Sequence, residues 1–96
     1  MTRRLRWTRR ALRRLEAIGD YIAKDSPAAA DRVTERLRTP ANILIAHPAI
    51  GRVGRIAGTR ELVVADLPYI IAYRVTETSV EILSVIHTSQ RWPEAL

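Results

Sequence analysis

The chain has 96 residues, 47% of them hydrophobic, and a formal charge of +6 from 16 Lys and Arg against 10 Asp and Glu. That length holds one domain, residues 1–96, with a single modest core. The absence of cysteine excludes disulfides and thiolate metal sites, and two histidines, His47 and His87, are too few for a zinc centre, so no metal or cofactor is expected. The positive excess favours an anionic partner, nucleic acid or an acidic protein segment, ahead of a membrane surface.

The basic opening stretch resembles a targeting peptide in charge, but it contains Glu16 and Asp20 and no unbroken apolar run. It fits neither a signal peptide nor a membrane span, and the expected location is the cytoplasm. Leu5 and Trp7 alternate with Arg4 and Arg6, which predicts a short strand with one apolar face. Thr8 then suits a helix N-cap. Ala11, Leu15, Ile18 and Ile22 recur at helical steps, predicting a helix to about Lys24 with Arg9, Arg13 and Glu16 turned outward. Ser26 followed by Pro27 starts a second helix, whose apolar face runs through Ala30, Val33, Leu37, Ala41 and Leu44. Pro40 lacks a backbone donor and crowds the preceding turn, at about 3 kcal/mol, which predicts two segments, 27–38 and 40–46.

His47 to Gly58 carries Pro48, Gly51, Gly54 and Gly58 and reads as a loop, with Arg52 and Arg55 set among glycines that let a ligand approach. From Arg60 the apolar period drops to two. Leu62 and Val64 form one face; after a turn at Asp66-Leu67-Pro68, Tyr69, Ile71, Tyr73 and Val75 form the next, with Ile70, Ala72 and Arg74 opposite. Thr76 to Ser79 makes a second turn, and Val80 to Ile86 is apolar at nearly every position, the mark of an interior strand covered on both faces. A short N-terminal strand, a helical hairpin and a three-stranded antiparallel sheet give an α+β fold with the helices on one face.

The blocks YIAKDSPAAADRV, HPAIGRVGRIAGTREL, LPYIIAYRV and VEILSVIHTSQRWP, in this order, resemble the RelE/ParE superfamily of toxins from bacterial type II toxin–antitoxin (plasmid stabilisation) modules over essentially the whole chain. The resemblance implies a toxin neutralised by a cognate antitoxin, an acidic protein that folds on binding, in a heteromeric complex. One branch of the superfamily cuts messenger RNA in the ribosomal A site; the other, ParE-like, poisons DNA gyrase. The expected antitoxin contacts are apolar anchors on the hairpin, including Leu15 and Ile22, with Arg9, Arg13 and Arg36 speeding encounter. Arg52, Arg55, Arg60 and Trp92 are the expected target-binding residues.

RNA cleavage requires a base for the 2′-hydroxyl, an acid for the leaving oxygen and cations on the phosphate. Arg60, Arg74 and Arg91 could supply the charge, and His87 is the candidate proton carrier because histidine exchanges protons near neutrality. Against this, RNase members tend to carry an arginine early in the strand corresponding to LPYIIAYRV, where this chain has Tyr69, Ile70 and Ile71. They also commonly carry a C-terminal catalytic tyrosine, where this chain has Thr88-Ser89-Gln90. The ending His87-x-x-x-Arg91 is more similar to the ParE branch, with gyrase as the expected target and mRNA cleavage or plain nucleic-acid binding as the alternatives. Residue by residue, simpler roles compete: His87 fixing the tail, Arg60 paired with Glu61, Trp92 plugged under the helices, and Tyr69 and Tyr73 as ordinary buried sheet residues.

Overall fold

A computed structural model describes residues 2–96. Thr8 sets the first change of direction. Arg4–Trp7 forms strand β1, and the Thr8 N–H extends its ladder by donating to the Ile82 carbonyl at 3.0 Å. The Thr8 hydroxyl donates to the same carbonyl at 2.8 Å and accepts from the Ala11 N–H at 3.2 Å. One side chain thus ends the strand and caps helix α1, Arg9–Ala23. Ser26 caps α2, Pro27–Ile43, by accepting from the Ala29 N–H at 3.1 Å, with Pro27 in the first turn where a donor is not needed.

The expected break at Pro40 does not occur: α2 is one helix through Ile43. Pro40 lies about one turn from the helix end, so only one ladder bond is lost there. Leu37 before it and Ala41 and Leu44 after it are all 0% exposed, and their shared burial against the sheet offsets that loss.

Five strands form one sheet in the order β1-β5-β4-β3-β2, where β2 is Arg52–Val53, β3 Arg60–Val63, β4 Tyr69–Val75 and β5 Ser79–His87. The antiparallel meander β3-β4-β5 is as expected, and two edge strands extend it. β1 pairs with β5 in parallel, Leu5 opposite Val80 and Trp7 opposite Ile82. Within the expected loop, Arg52 and Val53 pair with Glu61 and Arg60. Two residues flanked by glycines show no legible alternation, which is why this strand has no sequence signal.

β5 carries one more residue than β4 between the pairs Ala72–Ser84 and Tyr73–Ile82. Leu83 is the extra residue, and it shifts the facing by one position. Val80, Ile82 and Val85 therefore reach the same core as Ile71, Tyr73 and the helix residues Ala11, Leu15 and Leu37. The opposite face is also closed, with Ala72 at 0% and Ile86 at 1% exposure. Coverage on both faces accounts for the nearly continuous apolar run of β5.

Because α2 passes straight through Pro40, Pro40→Ala restores a ladder donor without moving the buried face. It is expected to stabilise the protein by about 1–2 kcal/mol, raising Tm by roughly 4–10 °C in thermal unfolding. An unchanged or lowered Tm would show that the proline ring itself is needed in the packing.

Candidate functional site

β3 sends its two charged residues to opposite faces of the sheet. Arg60 shares a side with its cross-strand partner Tyr73, toward the helices, and donates to the Gly51 carbonyl at 2.8 Å. Glu61 turns to the other face, where it is 3% exposed. The adjacent Arg60 and Glu61 therefore do not pair, contrary to the simpler reading of the sequence.

Glu61 is instead held from the β2 loop. Arg52 donates to its carboxylate at 2.8 Å through Nη2 and at 3.0 Å through Nε; Arg55 donates through Nε at 3.2 Å and through its backbone N–H at 2.9 Å. Burial raises the Glu61 pKa, but the Arg55 N–H and the two guanidinium groups outweigh it and hold the carboxyl below the usual glutamate range. The Arg55 guanidinium carbon lies 3.7 Å from the centre of the Trp92 ring. Carboxylate, guanidinium and indole thus form one stack, a cation–π contact backed by an ion pair. Trp92 is accordingly not a plug under the helices: it stacks on the loop over the sheet's other face.

Behind this cluster the loop is fixed by Tyr73, which is 0% exposed. Its hydroxyl donates to the Pro48 carbonyl at 2.7 Å and accepts from the Gly51 N–H at 2.9 Å. A Cβ on Gly51 would meet that hydroxyl at 2.5 Å and the Glu61 carbonyl at 2.8 Å, so only glycine lets loop and strand approach this closely. Burial pushes the Tyr73 phenol pKa up, against the Gly51 donor and the nearby Arg60. With its hydroxyl occupied, Tyr73 is a core residue and offers no stacking face.

The C-terminal segment starts at His87, whose ring meets Tyr69 edge-on with centres 5.2 Å apart. Its Nδ1 accepts from the Ser89 N–H at 3.1 Å and lies 2.7 Å from the Ser89 hydroxyl, so the imidazole shapes the turn that leads into the tail. Further on, Arg10 of α1 donates to the Ala95 carbonyl at 3.0 Å. Arg14 donates to the Val85 carbonyl at 3.2 Å and to the Gln90 side chain at 2.9 Å.

The target-binding candidates Arg52, Arg55 and Trp92 come together around Glu61, with Arg60 behind them on the other side of β3. The cleavage candidates do not converge. Arg74 lies beside Glu81, donating at 3.0 and 2.6 Å, with Arg6 on the second oxygen at 2.6 Å. The Arg74 hydrogen bond and the two positive charges hold the Glu81 carboxyl low. Arg91 lines a depression with Arg10 and Trp92. Among the described residues no three His, Asp or Glu side chains gather as a metal cluster.

Of the antitoxin candidates, Arg9 and Arg13 are exposed on the outer side of α1, while Leu15, at 3% exposure, belongs to the core. Ile22 packs partly against the core, and Arg36 pairs with Asp66 at 3.1 Å. Leu12, at 50% exposure, is the large apolar side chain that α1 offers to the furrow between the helices. The anchoring role of Glu61 and the part played by Arg14 and Gln90 were not read from sequence. A signal for the first was present, since Glu61 is the one acid among Arg52, Arg55 and Arg60.

Residues 5–92 match the family described as the ParE toxin of the type II toxin-antitoxin system, parDE. The chain belongs to the ParE toxin family. Over 94 residues it is 57% identical to "Putative toxin Y4kP" of Sinorhizobium fredii (strain NBRC 101917 / NGR234), covering 98% of this chain and 97% of the relative. It is 45% identical over 84 residues to "Toxin RelE2" of Caulobacter vibrioides, covering 88% of this chain and 93% of that protein. Among solved structures, a chain of the chromosomal ParDE TA system from P. aeruginosa superposes with a TM-score of 0.81 at 27% identity, covering 90% of this chain and 96% of that one. The protein is thus a type II toxin of the RelE/ParE superfamily, and a cognate antitoxin is its partner. None of the toxin's described helices is long and apolar enough to cross a membrane.

The depressed pKa of Glu61 has a definite sign in stability. A carboxyl lowered on folding contributes stability that is complete above its unfolded value and is lost as pH falls through the folded one. Glu61→Gln is expected to cost roughly 1.5–3 kcal/mol at pH 7 and to flatten the acid limb of stability against pH, measured by urea unfolding at stepped pH. An acid limb identical to that of the parent protein would place the titration elsewhere.

Proposed function

We propose that this toxin acts as a ParE-like inhibitor of DNA gyrase and does not cut messenger RNA in the ribosomal A site. The observation that carries this is the separation of His87, Arg60 and Arg74, three of the four residues expected to carry cleavage. His87 sits opposite Tyr69 at the start of β4, whereas Arg74 lies five residues further along that strand and is matched to Glu81. At about 3.4 Å per residue they stand roughly 17 Å apart along the strand. They also occupy opposite faces, since His87 meets Tyr69 on the helix side and Arg74 pairs with Glu81 on the other. In-line attack on a phosphate requires base, acid and cations around one group, each within hydrogen-bond reach. Here His87 organises the tail turn, Arg60 holds the Gly51 carbonyl and Arg74 is tied to a carboxylate.

What the fold offers a protein target is a rigid cationic and aromatic patch. The side chains of Arg52 and Arg55 stay 55% and 49% exposed although both hold Glu61, and Trp92 braces Arg55. Arginine and tryptophan held in place this way lose little freedom on binding, which is what anchors of a protein interface require. The names of the relatives fall on both branches of the superfamily, so this reading rests on the geometry.

Induced expression is expected to arrest growth with broken chromosomes and an SOS response, with transcripts intact. Trp92→Ala is expected to weaken the arrest at least tenfold, measured by surviving colonies, while antitoxin binding persists. His87→Ala is expected to leave arrest in place. Cleaved transcripts without an SOS response, or loss of toxicity in a folded, antitoxin-binding His87→Ala protein, would overturn the gyrase reading in favour of RNA cleavage.

A further inference from the structure

We propose that the flank of α1 from Arg10 to Tyr21, with the tail and the end of β5 facing it, is a channel for a single strand of DNA. The choice of DNA over RNA rests on the gyrase reading; the channel itself rests on its own geometry.

The two flanks of α1 carry opposite charge. The side toward α2 presents Glu16 and Asp20, facing Asp31 across the furrow between the helices. The side toward the tail presents Arg10 and Arg14. There β1 has ended, because it covers β5 only from Ser79 to Ile82, and α1 and the tail enclose the end of β5 that has no strand beside it. Arg10, Arg14 and Arg91 line this depression together with Gln90 and Trp92, and no carboxylate lines it. None of the three arginines is in an ion pair among the described residues: Arg10 and Arg14 are held by carbonyl and amide oxygens, which fix their positions and leave their charge uncompensated.

A second depression lies on the far side of Arg14. It is lined by Tyr21, Tyr69, His87 and Ser89, again without a carboxylate. Tyr21 is 74% exposed, an aromatic surface that serves no core, and Tyr69 and His87 already form an edge-on pair. A basic depression and an aromatic one, set along the same flank of α1 with Arg14 between them, give the combination that binds single-stranded nucleic acid, charge tracking the phosphates and rings receiving the bases. Arg10 to Tyr21 spans eleven residues of helix, roughly 16 Å at 1.5 Å per residue, long enough to meet more than one nucleotide of a strand.

The placement also runs against local stability. No acid stands in the first turn of α1; Arg9 and Arg10 stand there, at the positive end of the helix dipole. Arg10 recovers part of that cost by holding the Ala95 carbonyl, and sites that break a local rule are where function is expected.

The test is fluorescence anisotropy of a labelled 15-nucleotide oligo-dT with the purified toxin, against salt, each variant first checked by thermal unfolding. Binding by the parent protein is expected to weaken steeply with salt. Arg10→Gln with Arg91→Gln should weaken it at least tenfold and reduce the log–log salt slope by about 1.4. Tyr21→Ala, an exposed position that cannot unfold the core, should weaken it about tenfold with the slope unchanged. Arg32→Gln with Arg38→Gln on α2 removes the same charge elsewhere and should change binding less than twofold. Equal loss from the α2 pair would reduce the effect to net charge and overturn the channel, as would no binding by the parent at low salt. Tenfold tighter binding of the RNA of the same sequence would overturn the choice of DNA. No gyrase is present in this assay, so its failure leaves the gyrase reading to be judged by chromosome breakage in arrested cells.

Discussion

A buried carboxylate governs the half of the molecule that faces away from the helices. Glu61 is nearly sealed from water in a chain of formal charge +6, and its position on β3 draws Arg52 and Arg55 inward from a loop whose Ile50 and Val53 stay exposed. Like charges so close would repel in its absence; with it, they become the scaffold on which Trp92 rests. On the reverse side of the same strands, Tyr73 performs the matching task for Pro48 and Gly51. The loop is thus fastened from both faces of the sheet, and the tail is fastened to the loop. One carboxylate between two guanidinium groups fixes this surface in place and leaves it net positive.

The fold was largely legible because its core elements obey simple periods. The helical steps of Ala11, Leu15, Ile18 and Ile22 and the alternation in Tyr69, Ile71, Tyr73 and Val75 each pointed to a face that is buried in the structure. Propensity misled at Pro40, where tertiary burial on either side of the proline outweighs one missing donor. β2 was hidden because a two-residue strand exists only through its partner. Sequence also could not show which charges would meet. Arg60 and Glu61 are neighbours along the chain but are separated by the sheet, and Arg52 and Glu61 meet only because β2 folds back across from β3. The cations and the indole gathered around Glu61 are legible as a group in the sequence, but the carboxylate at their centre is not.

Arginine serves three different purposes in this toxin. Some side chains are structural cations, closed around Glu61 or Glu81. Others are tethers that hold backbone oxygens, as Arg10 does at Ala95 and Arg60 at Gly51. A third group, including Arg9 and Arg13, stands in solvent, where it sets the long-range field that an approaching partner meets first. A composition count merges these roles, although tethers and solvent-facing arginines keep a whole charge each, while Arg52 and Arg55 share one carboxylate and keep a net charge of one between them.

The bond from Arg14 to the Val85 carbonyl bears on how such a toxin behaves when it is released from its antitoxin. A parallel partner as short as β1 leaves the last part of β5 without a strand on that side, and a strand edge without a partner is the kind of border along which chains stack into aggregates. By placing a guanidinium on that border, α1 turns a sticky rim into a charged one. A charge set over an unpaired strand edge is one of the devices that keep such an edge from pairing with another chain.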